Sequence, residues 1–145
     1  MTKKASKGRK AGRVARSGRR ILIVDDEGQI LKVVLRVISI SMPGCKTDVV
    51  VNGAEALESF RVNRHPVIVM DVKMAGMDGE TALDEIQKIC DKENWEVPAV
   101  VFFSGFPASE KMQNILKSNA LHTLLMKPVE PSRLVEALQS RLPPV

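Results

Sequence analysis

Five residues that can do chemistry stand where apolar runs of this sequence stop. Asp25 and Asp26 follow Arg20-Ile-Leu-Ile-Val, Asp71 follows Pro66-Val-Ile-Val-Met, Ser104 follows Val97-Pro-Ala-Val-Val-Phe-Phe, and Lys127 follows Leu121-His-Thr-Leu-Leu-Met. Three carboxylates brought together out of water would repel one another. Burying them costs on the order of several kcal/mol per ion unless something offsets it. A divalent cation does so. An all-oxygen donor set with no Cys or His favours Mg²⁺, with Mn²⁺ as a substitute. A carboxylate nucleophile, metal-holding acids, a lysine and a hydroxyl together suit phosphoryl transfer onto an aspartate. The metal neutralises and aligns the transferring group, while the lysine and the hydroxyl bind its other oxygens.

These residues need a scaffold that brings strand ends together. The four runs, with a weaker fifth from Cys45 to Val51, are short, rich in β-branched residues and apolar without alternation. That pattern predicts strands covered on both faces, as in a parallel sheet. Between them lie helical spacings: Ile30, Leu31, Val34, Leu35 and Ile38; then Ala56, Leu57 and Phe60; then Leu83, Ile86 and Cys90; then Met112, Ile115 and Leu116; then Leu134, Leu138 and Leu142. Asn52-Gly53 precedes the second helix, Asp78-Gly79 reads as a turn before the third, and Pro131 suits the start of the fifth. Strand then helix, five times, predicts an α/β fold with a doubly wound five-stranded parallel sheet and five helices. Function in such folds collects outside the carboxyl ends of the strands, at the topological switch point.

Five pieces of the chain, in order, resemble the response-regulator receiver domains of two-component signalling. They are Ile-Leu-Ile-Val-Asp25-Asp26-Glu27, Asn52-Gly53-Ala54-Glu55-Ala56-Leu57, Asp71-Val-Lys-Met74-Ala-Gly-Met77-Asp78-Gly79, Val-Phe-Phe-Ser104-Gly105 and Met-Lys127-Pro128. The resemblance covers about residues 20 to 142 and implies the flavodoxin-like receiver topology. It makes Asp71 the phosphoacceptor, Asp26 a direct Mg²⁺ ligand, Asp25 a ligand mainly through water, and the Lys73 backbone carbonyl a further ligand. Ser104 and Lys127 would contact the phosphoryl group, and the Lys127-Pro128 peptide would be cis. The donor would be a phosphohistidine on a histidine kinase or phosphotransfer protein. The output would be a changed surface for a protein partner, on the fourth helix, fifth strand and fifth helix, with no small-molecule substrate and no enzymatic turnover.

The chain departs from that pattern in places. Ala75 stands where proline is common. Leu124 replaces an aromatic that in many members swings inward, which leaves the loops at 72–79 and 104–108 to carry the signal. Lys73 and Phe106 flank the pocket where the family sets its dephosphorylation rate, and neither is a carboxylate or amide able to orient water, so slow self-dephosphorylation is expected. Two alternatives compete. A hydrolase of the haloacid dehalogenase type would need a second acid two residues after its nucleophile, where Lys73 stands. A phosphorylation-independent binding module would not need the full set of acids, hydroxyl and lysine. His65 and His122 are read as surface or edge residues without a role, and Trp95 as cover for a sheet edge.

The composition places these readings in one domain of 145 residues carrying a basic tail. Nine of the 22 cations fall in residues 1–20, which hold no acid, leaving 13 cations against 17 acids in the remainder. Residues 1–18 are read as a disordered tail, because so little apolar content cannot offset ordering entropy. Residues 19–142 form the receiver unit of a stand-alone protein, and 143–145 its C-terminal end. The tail is read as a linker or solubility segment, a weak electrostatic contact to nucleic acid or membrane, or an organellar transit peptide. Cys45 and Cys90 are read as free thiols in a reducing cytoplasm, the expected location.

Overall fold

The computed structural model describes residues 18–144. Five strands, β1 (Arg20–Val24), β2 (Lys46–Val50), β3 (Val67–Asp71), β4 (Ala99–Ser104) and β5 (Thr123–Met126), alternate with five helices, α1 (Gly28–Ser41), α2 (Gly53–Asn63), α3 (Gly79–Glu93), α4 (Glu110–Ser118) and α5 (Pro131–Gln139). The strands form one sheet in the order β2-β1-β3-β4-β5, and every pairing is parallel. This is the expected doubly wound five-stranded architecture with flavodoxin-like topology. The chain order reverses between β1 and β3, so the crevice of the switch point lies outside the ends of those two strands.

Alternation along each strand divides the core in two. Ile21, Ile23, Val67, Val69, Val101 and Phe103 face one layer with Val34 and Ile38 of α1 and Leu134 and Leu138 of α5. Leu22, Val24, Ile68, Met70, Val100 and Phe102 face the other, with Phe60 of α2, Leu83 and Ile86 of α3 and Met112 of α4. Strands with both faces buried carry no polar positions, which is why their sequence runs are continuous. The two edge strands differ: neither β2 nor β5 has a fully buried residue, and β2, which carries polar Lys46, Thr47 and Asp48, gives the weaker sequence signal.

Helix starts are set by local chemistry. The Asn52 side chain accepts from the Glu55 amide (2.8 Å), and the Glu55 carboxylate reaches back to the Val51 amide (3.1 Å). Asp78 caps α3 by accepting from the Thr81 amide (2.8 Å), and Ser109 caps α4 by accepting from the Met112 amide (3.0 Å). Pro131 occupies the first turn of α5. Leu142 lies beyond that helix yet stays buried against the core. No helix among the described residues is long and apolar enough to cross a membrane.

Three side chains sit otherwise than expected. His65 and His122 are buried, not surface residues (0% and 4% exposed). His65 Nε2 lies 2.7 Å from Asp48 Oδ2, and Arg20 clasps the same carboxylate through Nε (2.6 Å) and a second nitrogen (3.0 Å). His122 Nδ1 accepts from the Val100 amide (3.1 Å), and burial pushes its pKa down to about 4. Each imidazole fills an interior position because a backbone or side-chain partner meets a ring nitrogen. Trp95 packs edge-on against Phe60 of α2 (centroids 6.1 Å apart) under the Arg64 guanidinium (3.9 Å). It therefore seals the junction of α2 with the end of α3. The basic tail, residues 1–17, lies outside the described residues.

Candidate functional site

The crevice gathers the expected residues from four strand ends. Asp25 follows β1 directly and is buried, with Asp26 exposed beside it. Asp71 is the last residue of β3 and Ser104 the last of β4, and Lys127 follows β5. One carboxylate oxygen from each of Asp25, Asp26 and Asp71 falls within a set whose members all lie within 4.8 Å of one another. Lys127 Nζ lies 3.3 Å from Asp71 Oδ2. The backbone supports this convergence. The Lys127 amide donates to the Ser104 carbonyl (2.8 Å), and the Val72 amide to the Phe103 carbonyl (2.9 Å). The Lys127-Pro128 peptide is cis, as the resemblance implies. Lys73 is exposed in the loop after Asp71.

Electrostatics set the state of these groups. Burial pushes the Asp25 carboxyl up to about 6; the Glu27 amide, donating to its Oδ1 (2.8 Å), opposes the shift and the Asp71 charge adds to it. Asp71 is also raised, by burial, against the pull of Lys127 and of the Lys73 backbone amide. Burial works against the Lys127 charge, but its hydrogen bond to Glu27 and the nearby Asp71 outweigh it and hold its pKa above the ordinary value. A buried carboxylate needs its lone pairs satisfied, yet Asp25 Oδ2 has no hydrogen-bond partner among the described residues. An orphaned buried oxygen facing two more carboxylates, with oxygen donors alone, fits a hard divalent cation such as Mg²⁺.

Two residues of this neighbourhood had been given no part in the site from the sequence. Glu27 takes the shortest contact of the lysine, Oε1 to Lys127 Nζ at 2.7 Å; an acid directly after the aspartate pair was the available signal. Gly79 is the other. A Cβ there would lie 2.5 Å from the Asp71 carbonyl oxygen, so only glycine lets the start of α3 press against the end of β3. Ser104 is buried at the end of β4, and its hydroxyl is engaged locally. It donates to the Phe106 carbonyl (2.7 Å) and accepts from the Phe106 amide (3.0 Å).

Known proteins resemble this chain in sequence and fold. The family described as the response regulator receiver domain matches residues 21–139. The chemotaxis protein CheY of Thermotoga maritima is 31% identical over 124 residues, covering 83% of this chain and 95% of that protein. The transcriptional regulatory protein ZraR of Salmonella typhimurium is 32% identical over 125 residues, which cover 84% of this chain but 26% of that longer protein. Among solved structures, a response regulator receiver domain protein from Clostridium thermocellum superposes with a TM-score of 0.67 at 28% identity, covering 84% of this chain and 92% of that one.

Proposed function

The chain belongs to the response regulator receiver domain family, and from that premise we propose that it is a signalling phosphoacceptor in which Asp71 takes a phosphoryl group from a phosphohistidine donor. The observation that carries this reading is the buried Asp71 carboxylate, with Asp25 and Asp26 grouped around it and Lys127 at 3.3 Å. A carboxylate oxygen of Asp71 attacks phosphorus, an O–P bond forms, and the N–P bond of the donor imidazole breaks. The leaving imidazole takes up a proton. The phosphoryl group adds negative charge beside Lys127, whose raised pKa keeps it a cation there.

Mg²⁺, or Mn²⁺ in its place, would be held by Asp25, Asp26, Asp71 and the Lys73 backbone carbonyl, and would supply charge neutralisation for the transferring group. Lys127 exchanges its contact with the ionised Asp71 oxygen for one with a phosphoryl oxygen. The Ser104 hydroxyl, close to the same strand ends, donates to another. Hydrolysis of the product is slow, because neither exposed Lys73 nor exposed Phe106 offers a carboxylate or amide to orient water. The protein turns over no metabolite. Its product is a phosphorylated surface that a partner reads, and phosphorylation shifts the balance only as far as it favours one conformation. The receiver unit spans residues 19–142, and the nine cations of residues 1–20 add a salt-sensitive attraction to polyanions.

Incubation with Mg²⁺ and a small acyl- or amido-phosphate, followed by intact mass measurement, tests this reading. The wild-type protein gains one phosphoryl group and Asp71→Asn gains none. A folded wild-type protein that stays unmodified with metal present refutes the assignment.

A further inference from the structure

The Ser104 hydroxyl cannot serve two partners with its single proton. It spends that proton on the Phe106 carbonyl (2.7 Å) and receives the Phe106 amide in return (3.0 Å). This closed pair of bonds pins the backbone of Phe106 two residues past the strand. Phe106 is left 64% exposed, while the other three phenylalanines, Phe60, Phe102 and Phe103, are at most 1% exposed. Phe106 lines a cavity of about 350 Å³, whose wall is apolar at Val72, Met112 and Leu124 and polar at Lys73, Asp78 and Glu80. An apolar cavity of about 150 Å³ already holds a benzene ring. Leu124 is only partly buried, so the space in front of it is open to a larger side chain.

Resting on the phosphoacceptor reading above, we propose that Phe106 is the mobile element through which phosphorylation is read. The exposed ring is held out by its bonded backbone, and it docks into the Leu124–Met112 cavity once Ser104 Oγ turns to a phosphoryl oxygen. When the hydroxyl proton goes to phosphate, the Phe106 carbonyl loses its donor and the residue is released. An exposed ring beside the apolar wall of that cavity then moves onto it by the hydrophobic effect. The move also bears on α4. Its cap Ser109 borders the same cavity, and its first turn is tied to α3 by Ser109 Oγ to Glu80 (3.1 Å) and Lys111 Nζ to Asp84 (3.1 Å). Docking removes an aromatic from the surface between the β4–α4 loop and the start of α4. The readout is therefore a local change in surface, produced without any aromatic on β5.

Fluorine NMR of the full chain carrying 4-fluorophenylalanine tests this. It yields four resonances, of which Phe106 alone is exposed, and Phe106→Leu assigns it. A soluble gadolinium chelate reports exposure by broadening. Mg²⁺ with beryllofluoride serves as the phosphoryl analogue, and the fluorine signal of the bound analogue reports its own binding in the same spectrum. On binding, broadening of the Phe106 resonance falls about threefold or more, in proportion to the exposed area lost. In Leu124→Phe, which sets a ring on the apolar wall where Phe106 would dock, the analogue binds and Phe106 stays exposed. In Ser104→Ala, the Phe106 resonance is the same with and without the analogue. A Phe106 resonance that stays fully broadened in the wild type with analogue bound overturns the proposal and leaves the phosphoacceptor reading standing. Docking in Leu124→Phe equal to that in the wild type also overturns it. Absence of a bound-analogue signal in the wild type overturns both.

Discussion

Replacing Asp25 with asparagine removes a buried charge that the fold holds at a cost. The carboxyl titrates at about 6 in the native state against an ordinary 3.8. Between those values the native state binds the proton that the unfolded chain has lost. Stability therefore falls as pH rises from about 4 to about 6, and the full cost persists above. A difference of roughly two pKa units corresponds to about 3 kcal/mol. Asparagine keeps the acceptor for the Glu27 amide, though a neutral oxygen holds that bond about 1 kcal/mol less well. Asp25→Asn is thus expected to be about 1–3 kcal/mol more stable than the wild type at pH 7.5 in chelator, raising Tm by about 4–10 °C. At pH 4.5 the advantage shrinks to about a third, because the native wild-type carboxyl is then protonated. Saturating Mg²⁺ narrows or inverts the difference at pH 7.5, since a ligand of the native state stabilises the chain that binds it. Urea titrations of both proteins at the two pH values, with and without Mg²⁺, measure every term. If the variant shows no advantage at pH 7.5 without metal, or one that grows on acidification, the assignment of Asp25 as a frustrated carboxylate is wrong.

Three other outcomes follow from single contacts. Gly79→Ala places a Cβ 2.5 Å from the Asp71 carbonyl oxygen; loss of about 1–3 kcal/mol is expected, together with slower Asp71 phosphorylation by a small donor, and an unchanged urea midpoint would contradict it. Asp48→Asn breaks the clasp with Arg20 and the His65 bond, for about 1–2 kcal/mol at neutral pH. The Arg20 hydrogen bond holds the Asp48 pKa below its usual value against burial, so this contribution is present above the unfolded carboxylate value. It is lost as pH falls through the native one, and the variant and wild-type stability curves should merge in acid. Ser109→Ala removes the α4 cap at 3.0 Å and should cost about 1 kcal/mol; amide hydrogen exchange in α4 would speed up while α1 stayed unchanged.

The strands β1, β3 and β4 and the residues at their ends were legible in the sequence. A strand buried on both faces must be apolar throughout, so the first polar residue after it marks the mouth of the sheet. Asp25, Asp71 and Ser104 stand out that way, Lys127 follows the partly buried β5, and the acid–hydroxyl–lysine combination suits phosphoryl transfer. β2 was harder to read because Lys46, Thr47 and Asp48 break its apolar run at an exposed sheet edge. The histidines were misread because burial of a polar ring depends on partners distant in sequence, Asp48 for His65 and the Val100 amide for His122. Periodicity carries no trace of such pairs.

The sequence alone determined the type of scaffold and which side chains reach its active end, because apolar periodicity and strand termination are local properties. Tertiary structure decided what those side chains do to one another. The rise of the Asp25 pKa, the sharing of Lys127 between Glu27 and Asp71, the need for glycine at position 79 and the capture of the Ser104 hydroxyl by Phe106 all depend on distances between atoms or on burial. Desolvation and Coulomb energies take their size from separation and burial, and only the folded chain sets those.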